Sequence, residues 1–154
     1  MGIVWQLAIM YAGVRRCLPS NLSRHLQLVP MTGSILIVDD NPQILRLLRT
    51  FLEAVPGFHI CGEAVDGLEA IKKAGELHPD MVILDLSMPR MNGLQAARVL
   101  RATRTDMPII LFTLYADLVK PAEASAAGVT AVFSKNDLHE LAKQAECLLQ
   151  AAYH

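Results

Sequence analysis

Five polar side chains stand at or just after the ends of short apolar runs, and their types are complementary. Asp39 and Asp40 follow Ile35–Val38, Asp85 follows Met81–Leu84, Thr113 follows Ile109–Phe112, and Lys135 comes just after Thr130–Phe133. Two carboxylates about 5 Å apart repel by roughly 3 kcal/mol at an effective dielectric near 20, so three in one pocket call for a cation. Oxygen-only ligands suit magnesium, which keeps several waters and bridges readily to phosphate oxygens. Asp85 then has two roles open to it, ligand and nucleophile. A carboxylate can attack phosphorus to give an aspartyl phosphate, while the metal and Lys135 offset charge on the transferring group and the Thr113 hydroxyl donates a hydrogen bond.

These groups must be brought together by the fold. The unbroken apolar runs 35–38, 81–84 and 109–112 read as central parallel strands covered on both faces. Phe58–Glu63 and Thr130–Phe133 are shorter or more mixed and suit the outer strands. Between them lie helical patterns. Ile44, Leu47, Leu48, Phe51, Leu52 and Val55 share one helix face, and Asn41-Pro42 supplies a cap and a first-turn proline. Asp66 with Glu69 gives a capping-box-like start to a second helix that ends before His78-Pro79. Gly93–Ala102, a segment within Asp117–Ala127 and Asp137–Ala151 complete the set. Pro121 makes the fourth helix start late or carry the proline in its first turn, so it is expected to be short or mobile. Five alternations predict an α/β fold: a doubly wound, flavodoxin-like parallel sheet of five strands in the order 2-1-3-4-5 with five helices. In such sheets the site lies beyond the carboxyl ends of the strands, where the order reverses. Every candidate falls on that edge.

Composition bounds the alternatives. A chain of 154 residues with 53% hydrophobic and 19% charged residues is one domain with a substantial core. Net charge is −1 and no Lys/Arg run occurs, so the electrostatic footprint of a nucleic-acid or membrane-surface binder is missing. Cys17, Cys61 and Cys147 form no CxxC pair and read as buried reduced thiols. The five histidines show no HxH or HExxH spacing, which argues against an imidazole metal site. No GxxxxGK[ST] loop is present, so ATP is not an expected ligand. Residues 1–33 form an extension to a domain spanning 34–152. Its apolar stretch Ile3–Val14 is shorter than the about 20 residues a membrane span needs, and Arg15 and Arg16 follow it where a secretory signal would place them before. Two readings stand: upstream sequence from a misassigned start, with Met31 as the alternative, or an added helix that docks on a partner or a membrane surface.

The run Ile35-Leu36-Ile37-Val38-Asp39-Asp40-Asn41, then Val82-Ile83-Leu84-Asp85-Leu86-Ser87-Met88-Pro89-Arg90-Met91-Asn92-Gly93, then Thr113 and Lys135, resembles the CheY-like receiver domain of two-component response regulators. The resemblance covers about Ser34 to Ala152, and the wording around Asp85 is most similar to receivers of helix-turn-helix transcriptional regulators. It implies a cytoplasmic phosphoacceptor that is not itself an enzyme beyond its own phosphotransfer. Asp85 would take a phosphoryl group from a histidine kinase or phosphotransfer protein. Asp39, Asp40, Asp85 and the backbone carbonyl of Ser87 would hold Mg2+, Asp40 more directly than Asp39, with Thr113 and Lys135 reading the phosphoryl group. The output surface would be the face of helix four, strand five and helix five, docking on a partner or on a second copy, with no direct nucleic-acid contact and no membrane span. Three departures fall on the switch. Val132 stands where receivers usually carry Tyr or Phe, and Phe133 is one residue along, on the opposite strand face. Leu114 and Tyr115 occupy the position after the threonine, usually small, and its neighbour, which would narrow access to Asp85. Asn136 replaces the proline that often follows the lysine.

Taken singly, the same residues have plainer readings. Asp39-Asp40-Asn41-Pro42 is a helix-capping turn, Thr113 a strand-end hydroxyl and Lys135 a solvated charge; their conjunction favours function. Met88, Met91 and Met107 read as packing residues. Two rival functions follow: a receiver-like binding module that needs no phosphate, and a phosphatase of the haloacid dehalogenase type. The latter requires a second Asp two residues after the nucleophile, where this chain has Ser87.

Overall fold

The computed structural model describes residues 32–153. The expectations for the extension, up to its last residues, and for Cys17, His25 and His154 fall outside them. Five strands, β1 (Gly33–Val38), β2 (Phe58–Ala64), β3 (Met81–Leu84), β4 (Ile109–Thr113) and β5 (Ala131–Ser134), pair in parallel in the order β2-β1-β3-β4-β5. The predicted flavodoxin-like order holds, with β2 and β5 at the edges as their mixed composition indicated.

Period-two alternation divides the core. Leu36, Val38, Val82, Leu84, Ile109 and Leu111 point to one face of the sheet, against α2 (Gly67–Leu77), α3 (Gly93–Thr103) and α4 (Pro121–Ala126). Ile35, Ile37, Met81, Ile83, Ile110 and Phe112 point to the other, against α1 (Pro42–Glu53) and α5 (Leu138–Ala152). Both faces are covered, which is why the three central strands read as unbroken apolar runs. Val132 and Phe133 separate as neighbouring strand residues must: Val132 joins the first cluster and Phe133 the second. Met107 is buried, and Met88 and Met91 pack against the first cluster, which bears out their reading as packing residues.

The helix starts partly follow the sequence signals. Asn41 caps α1, its side chain accepting from Gln43 N at 2.9 Å with Pro42 in the first turn. Asp66 caps α2 through Glu69 N at 2.9 Å, but the Glu69 carboxylate reaches Val65 N, not Asp66 N, so the reciprocal box expected there does not close. A complete capping box forms instead at α3, where Asn92 and Gln95 exchange side chain and backbone bonds of 2.9 and 3.0 Å. The fourth helix starts at Pro121 and runs six residues, after a short 3-10 turn over Ala116–Leu118, as the proline demanded.

The cysteine reading needs correction. Cys61 is a free, half-buried thiol at the point where the β1–β2 register slips by one residue. Cys147 is disulfide-bonded. Pairing depends on how closely the Cβ atoms approach in space, which spacing along the chain does not reveal.

Candidate functional site

Each candidate side chain is placed by the end of a strand. Asp39 N donates to Ala64 O at 3.0 Å, Asp85 N to Val38 O at 3.0 Å, and Lys135 N to Thr113 O at 3.1 Å. These bonds bring the ends of β1, β3, β4 and β5 to one edge, at the point where strand order reverses between β1 and β3. Helix α3 starts close against this edge. Gly93 N donates to Leu86 O at 2.8 Å, and a Cβ on Gly93 would lie 2.2 Å from the Asp85 carbonyl oxygen. Only glycine allows that approach.

Lys135 lies at the centre of the site. Its Nζ is 2.5 Å from Asp39 Oδ2 and 3.1 Å from Asp85 Oδ2, and all three side chains are more than nine-tenths buried. Asp39 Oδ1 accepts from Asn41 N at 2.8 Å, and Asp85 Oδ1 from Leu86 N at 2.8 Å. Asp39 Oδ2, by contrast, has no well-aligned hydrogen bond despite the nearby ammonium. Burial pushes the Asp39 carboxyl up, against the opposing pull of Lys135. Burial pulls the Lys135 ammonium down, but the nearby Asp39 and Asp85 carboxylates outweigh that and leave it above the usual lysine value. The pocket therefore favours a cation beside its carboxylates.

Asp40 is exposed at the mouth, and one oxygen from each of Asp39, Asp40 and Asp85 falls within 4.8 Å of the others. Three hard oxygen donors, one of them buried without an aligned partner, fit a small divalent cation. Thr113 is fully buried, and its hydroxyl oxygen accepts from Tyr115 N at 3.2 Å. Ser87 sits two residues beyond Asp85. It lines a cleft of about 390 Å³ between the loop after β3 (Leu86, Ser87, Asn92) and the segment after β4 (Tyr115, Leu118, Val119). Leu114, Tyr115 and Leu118 are exposed beside it.

The structure thus brings together Asp39, Asp40, Asp85 and Lys135, with Thr113 bonded through its carbonyl to the Lys135 backbone. Sequence reasoning missed two neighbours. Asp66 was read only as a cap and Arg90 only as part of a motif, yet Arg90 Nε donates to Asp66 Oδ2 at 2.6 Å and Nη2 contacts the same oxygen. Nothing along the chain pairs residues 24 apart; the one available signal was that Asp66 had to lie at a buried helix start.

A five-stranded, doubly wound parallel sheet with three carboxylates and a lysine ammonium gathered at the carboxyl ends of its strands is the arrangement of a receiver domain. The chain belongs to the response regulator receiver domain family, whose model matches residues 35–146. It is 37% identical over 97 residues to a protein-glutamate methylesterase/protein-glutamine glutaminase of Nocardioides sp., covering 63% of this chain and 26% of that protein. It is 35% identical over 101 residues to the transcriptional regulatory protein LiaR of Bacillus subtilis, covering 66% of this chain and 48% of LiaR. Among solved structures, a two-component response regulator of the LuxR family from Aurantimonas sp. superposes with a TM-score of 0.72 at 31% identity, covering 78% of this chain and 86% of that one. The chain therefore spans between about a quarter and a half of these curated relatives. Among the described residues, no helix is long and apolar enough to cross a membrane.

Proposed function

We propose that this chain is the phosphoacceptor of a two-component phosphorelay, taking a phosphoryl group onto Asp85. The observation that carries the reading is the Lys135 ammonium held between Asp39 and Asp85 beside the exposed Asp40. A phosphohistidine on a histidine kinase or phosphotransfer protein is the donor. An Asp85 carboxylate oxygen forms the new P–O bond as the P–N bond breaks, and the electron pair leaves with the imidazole nitrogen. Lys135 swings its charge from the carboxylate onto a phosphoryl oxygen, and the Thr113 hydroxyl, freed from Tyr115 N, donates to another. Asp39, Asp40, Asp85 and the Ser87 carbonyl would hold Mg2+. When bound, the ion neutralises charge on the transferring group.

The phosphorylated state signals through the face formed by α4, β5 and α5, which docks on a partner or on a second copy. The chain works in the cytoplasm. The methylesterase and transcriptional regulatory activities that the longer relatives are named for are not assigned to these residues. Incubation with acetyl phosphate and magnesium, read by intact mass, is expected to add one phosphoryl group that Asp85→Asn abolishes. No addition from acetyl phosphate or from a cognate kinase would sink the proposal.

A specific observation supports a second reading, a binding module indifferent to phosphate. Val132 is buried where receivers usually rotate an aromatic ring, and Phe133 lies on the opposite face. That reading expects partner binding to be the same for Asp85→Asn as for the unsubstituted chain.

A further inference from the structure

The loop between β3 and α3, residues 85–92, carries both Asp85 and Ser87, and its two ends are fixed by short bonds. Leu86 N donates to Asp85 Oδ1 at 2.8 Å, and Gly93 N donates to Leu86 O at 2.8 Å. The outer limb of the loop, Pro89 to Met91, has no strand or helix of its own to hold it. It rests on the start of α2 instead. Gly67 N donates to Met91 O at 3.2 Å, and a Cβ on Gly67 would lie 2.9 Å from that same backbone oxygen and 2.7 Å from Met91 Cγ, so the two segments meet with no room for a side chain on Gly67.

Arg90 sits at the apex of this limb with φ of 64°, a left-handed conformation that non-glycine residues seldom adopt. Its side chain bends back to Asp66, whose carboxylate is 2% exposed and whose other oxygen caps α2 through Glu69 N. A glycine would serve the backbone here better than an arginine does. A strained arginine pinned by charge-assisted bonds to a buried carboxylate points to a use for the side chain itself.

Resting on the proposed function, we propose that the Arg90–Asp66 pair is a clamp that locks the β3–α3 loop to the start of α2 and thereby positions the Ser87 carbonyl for the metal. Both are positioning residues. Neither touches the phosphoryl group or the ion. Arg90 acts through the loop that carries Ser87, and Asp66 through Arg90 and the Gly67–Met91 contact. Loss of the clamp leaves α3 and the core intact but lets the loop fluctuate, so a ligand that must arrive at a fixed distance is supplied less often.

Two measurements on the full chain test this. Amide hydrogen exchange on the metal-free protein reads the loop directly: Arg90→Ala and Asp66→Asn should both speed exchange at Met91 and Gly93, leaving β3 and β4 protected. Asn keeps the cap on α2, so the effect of Asp66→Asn reports the lost charge pair and not a lost helix start. Arg90→Lys should restore part of the protection. Arg90→Gly relieves the backbone yet should still loosen the loop. Calorimetric titration with magnesium should show about a tenfold weaker affinity for Arg90→Ala, the low end of what losing an outer partner costs a metal site. The double variant Asp66→Asn/Arg90→Ala should be no weaker than either single one, because both remove the same contact. Unchanged loop exchange overturns the clamp, as do additive effects in the double variant. Failure of the unsubstituted chain to bind magnesium would instead overturn the proposed function and the metal part of this inference, while the exchange data still decide the clamp.

Discussion

Gly93→Ala and Gly75→Ala make the same chemical change in two helices of the same sheet face, and the structure assigns them opposite signs. At Gly93 the new methyl would stand 2.2 Å from the Asp85 carbonyl oxygen, with Asp85 C and Leu111 Cδ2 both at 3.0 Å. The nearest atom is backbone at the end of a central strand, more than an ångström inside ordinary contact, and no side-chain rotation relieves it. Overpacking of this kind costs about 1–3 kcal/mol, and stretching the Gly93 N to Leu86 O bond adds about 1 kcal/mol. The helical preference of alanine returns a fraction of that at a first-turn position. The expected net loss is about 1.5–3.5 kcal/mol, or about 8 °C in Tm for a domain of this size. At Gly75 nothing lies within 4 Å of the added methyl, and the residue is exposed near the end of α2. Replacing it should stabilise by about 0.5 kcal/mol through lower unfolded-state entropy. Urea unfolding at constant m-value measures both. A Gly93→Ala midpoint indistinguishable from that of the unsubstituted chain would show that the close approach of α3 to Asp85 is misread, and a loss at Gly75 that the open space around that residue is. Phosphoryl uptake by Gly93→Ala should also slow, since the displaced carbonyl belongs to the acceptor residue.

Three further outcomes follow from the site. Asp40→Asn removes one of three carboxylates within 4.8 Å, where a pair repels by roughly 3 kcal/mol at an effective dielectric near 20. Because Asp40 is exposed and screened, thermal melts without metal should show a gain of only about 1 kcal/mol, and added magnesium should raise the Tm less than in the unsubstituted chain. Lys135→Met leaves the buried Asp39 and Asp85 facing each other without the ammonium. Denaturant unfolding without metal should show a loss of about 3 kcal/mol, partly recovered by magnesium. The Asp66 carboxyl is held below its ordinary value of 3.8, first by the Glu69 N bond, against burial, and also by Arg90. A folded pKa below the unfolded one means a stabilisation fully present above pH 3.8 and lost as pH falls from there through the folded value. The stability gap between the unsubstituted chain and Asp66→Asn should therefore be constant near neutrality and close below pH 3.8; a gap that widens in acid would contradict the assignment.

Strand identity, strand order and the edge that holds the acidic residues were all legible in the sequence. Burial on both faces writes an unbroken apolar run, and the turn from strand to helix writes its polar residue immediately after. Asp39, Asp85, Thr113 and Lys135 were readable for that reason, each tied to a strand end by local chain geometry. Val132 and Phe133 could also be assigned to opposite faces in advance, because alternation along a strand is a local property. Contacts between distant segments were not legible. The complete capping box lies at Asn92 and not at Asp66, because Glu69 chose the Val65 amide. Arg90 reaches Asp66 across 24 residues, Cys147 is paired and not reduced, and the Gly93 methyl position is taken by the Asp85 carbonyl just past β3. Sequence by itself determined which residues gather at the carboxyl edge, since periodicity and turn chemistry act within a few residues. Tertiary structure alone decided their distances, the central position of Lys135 and the loop clamped by Arg90, since these depend on how separate elements close on one another in space.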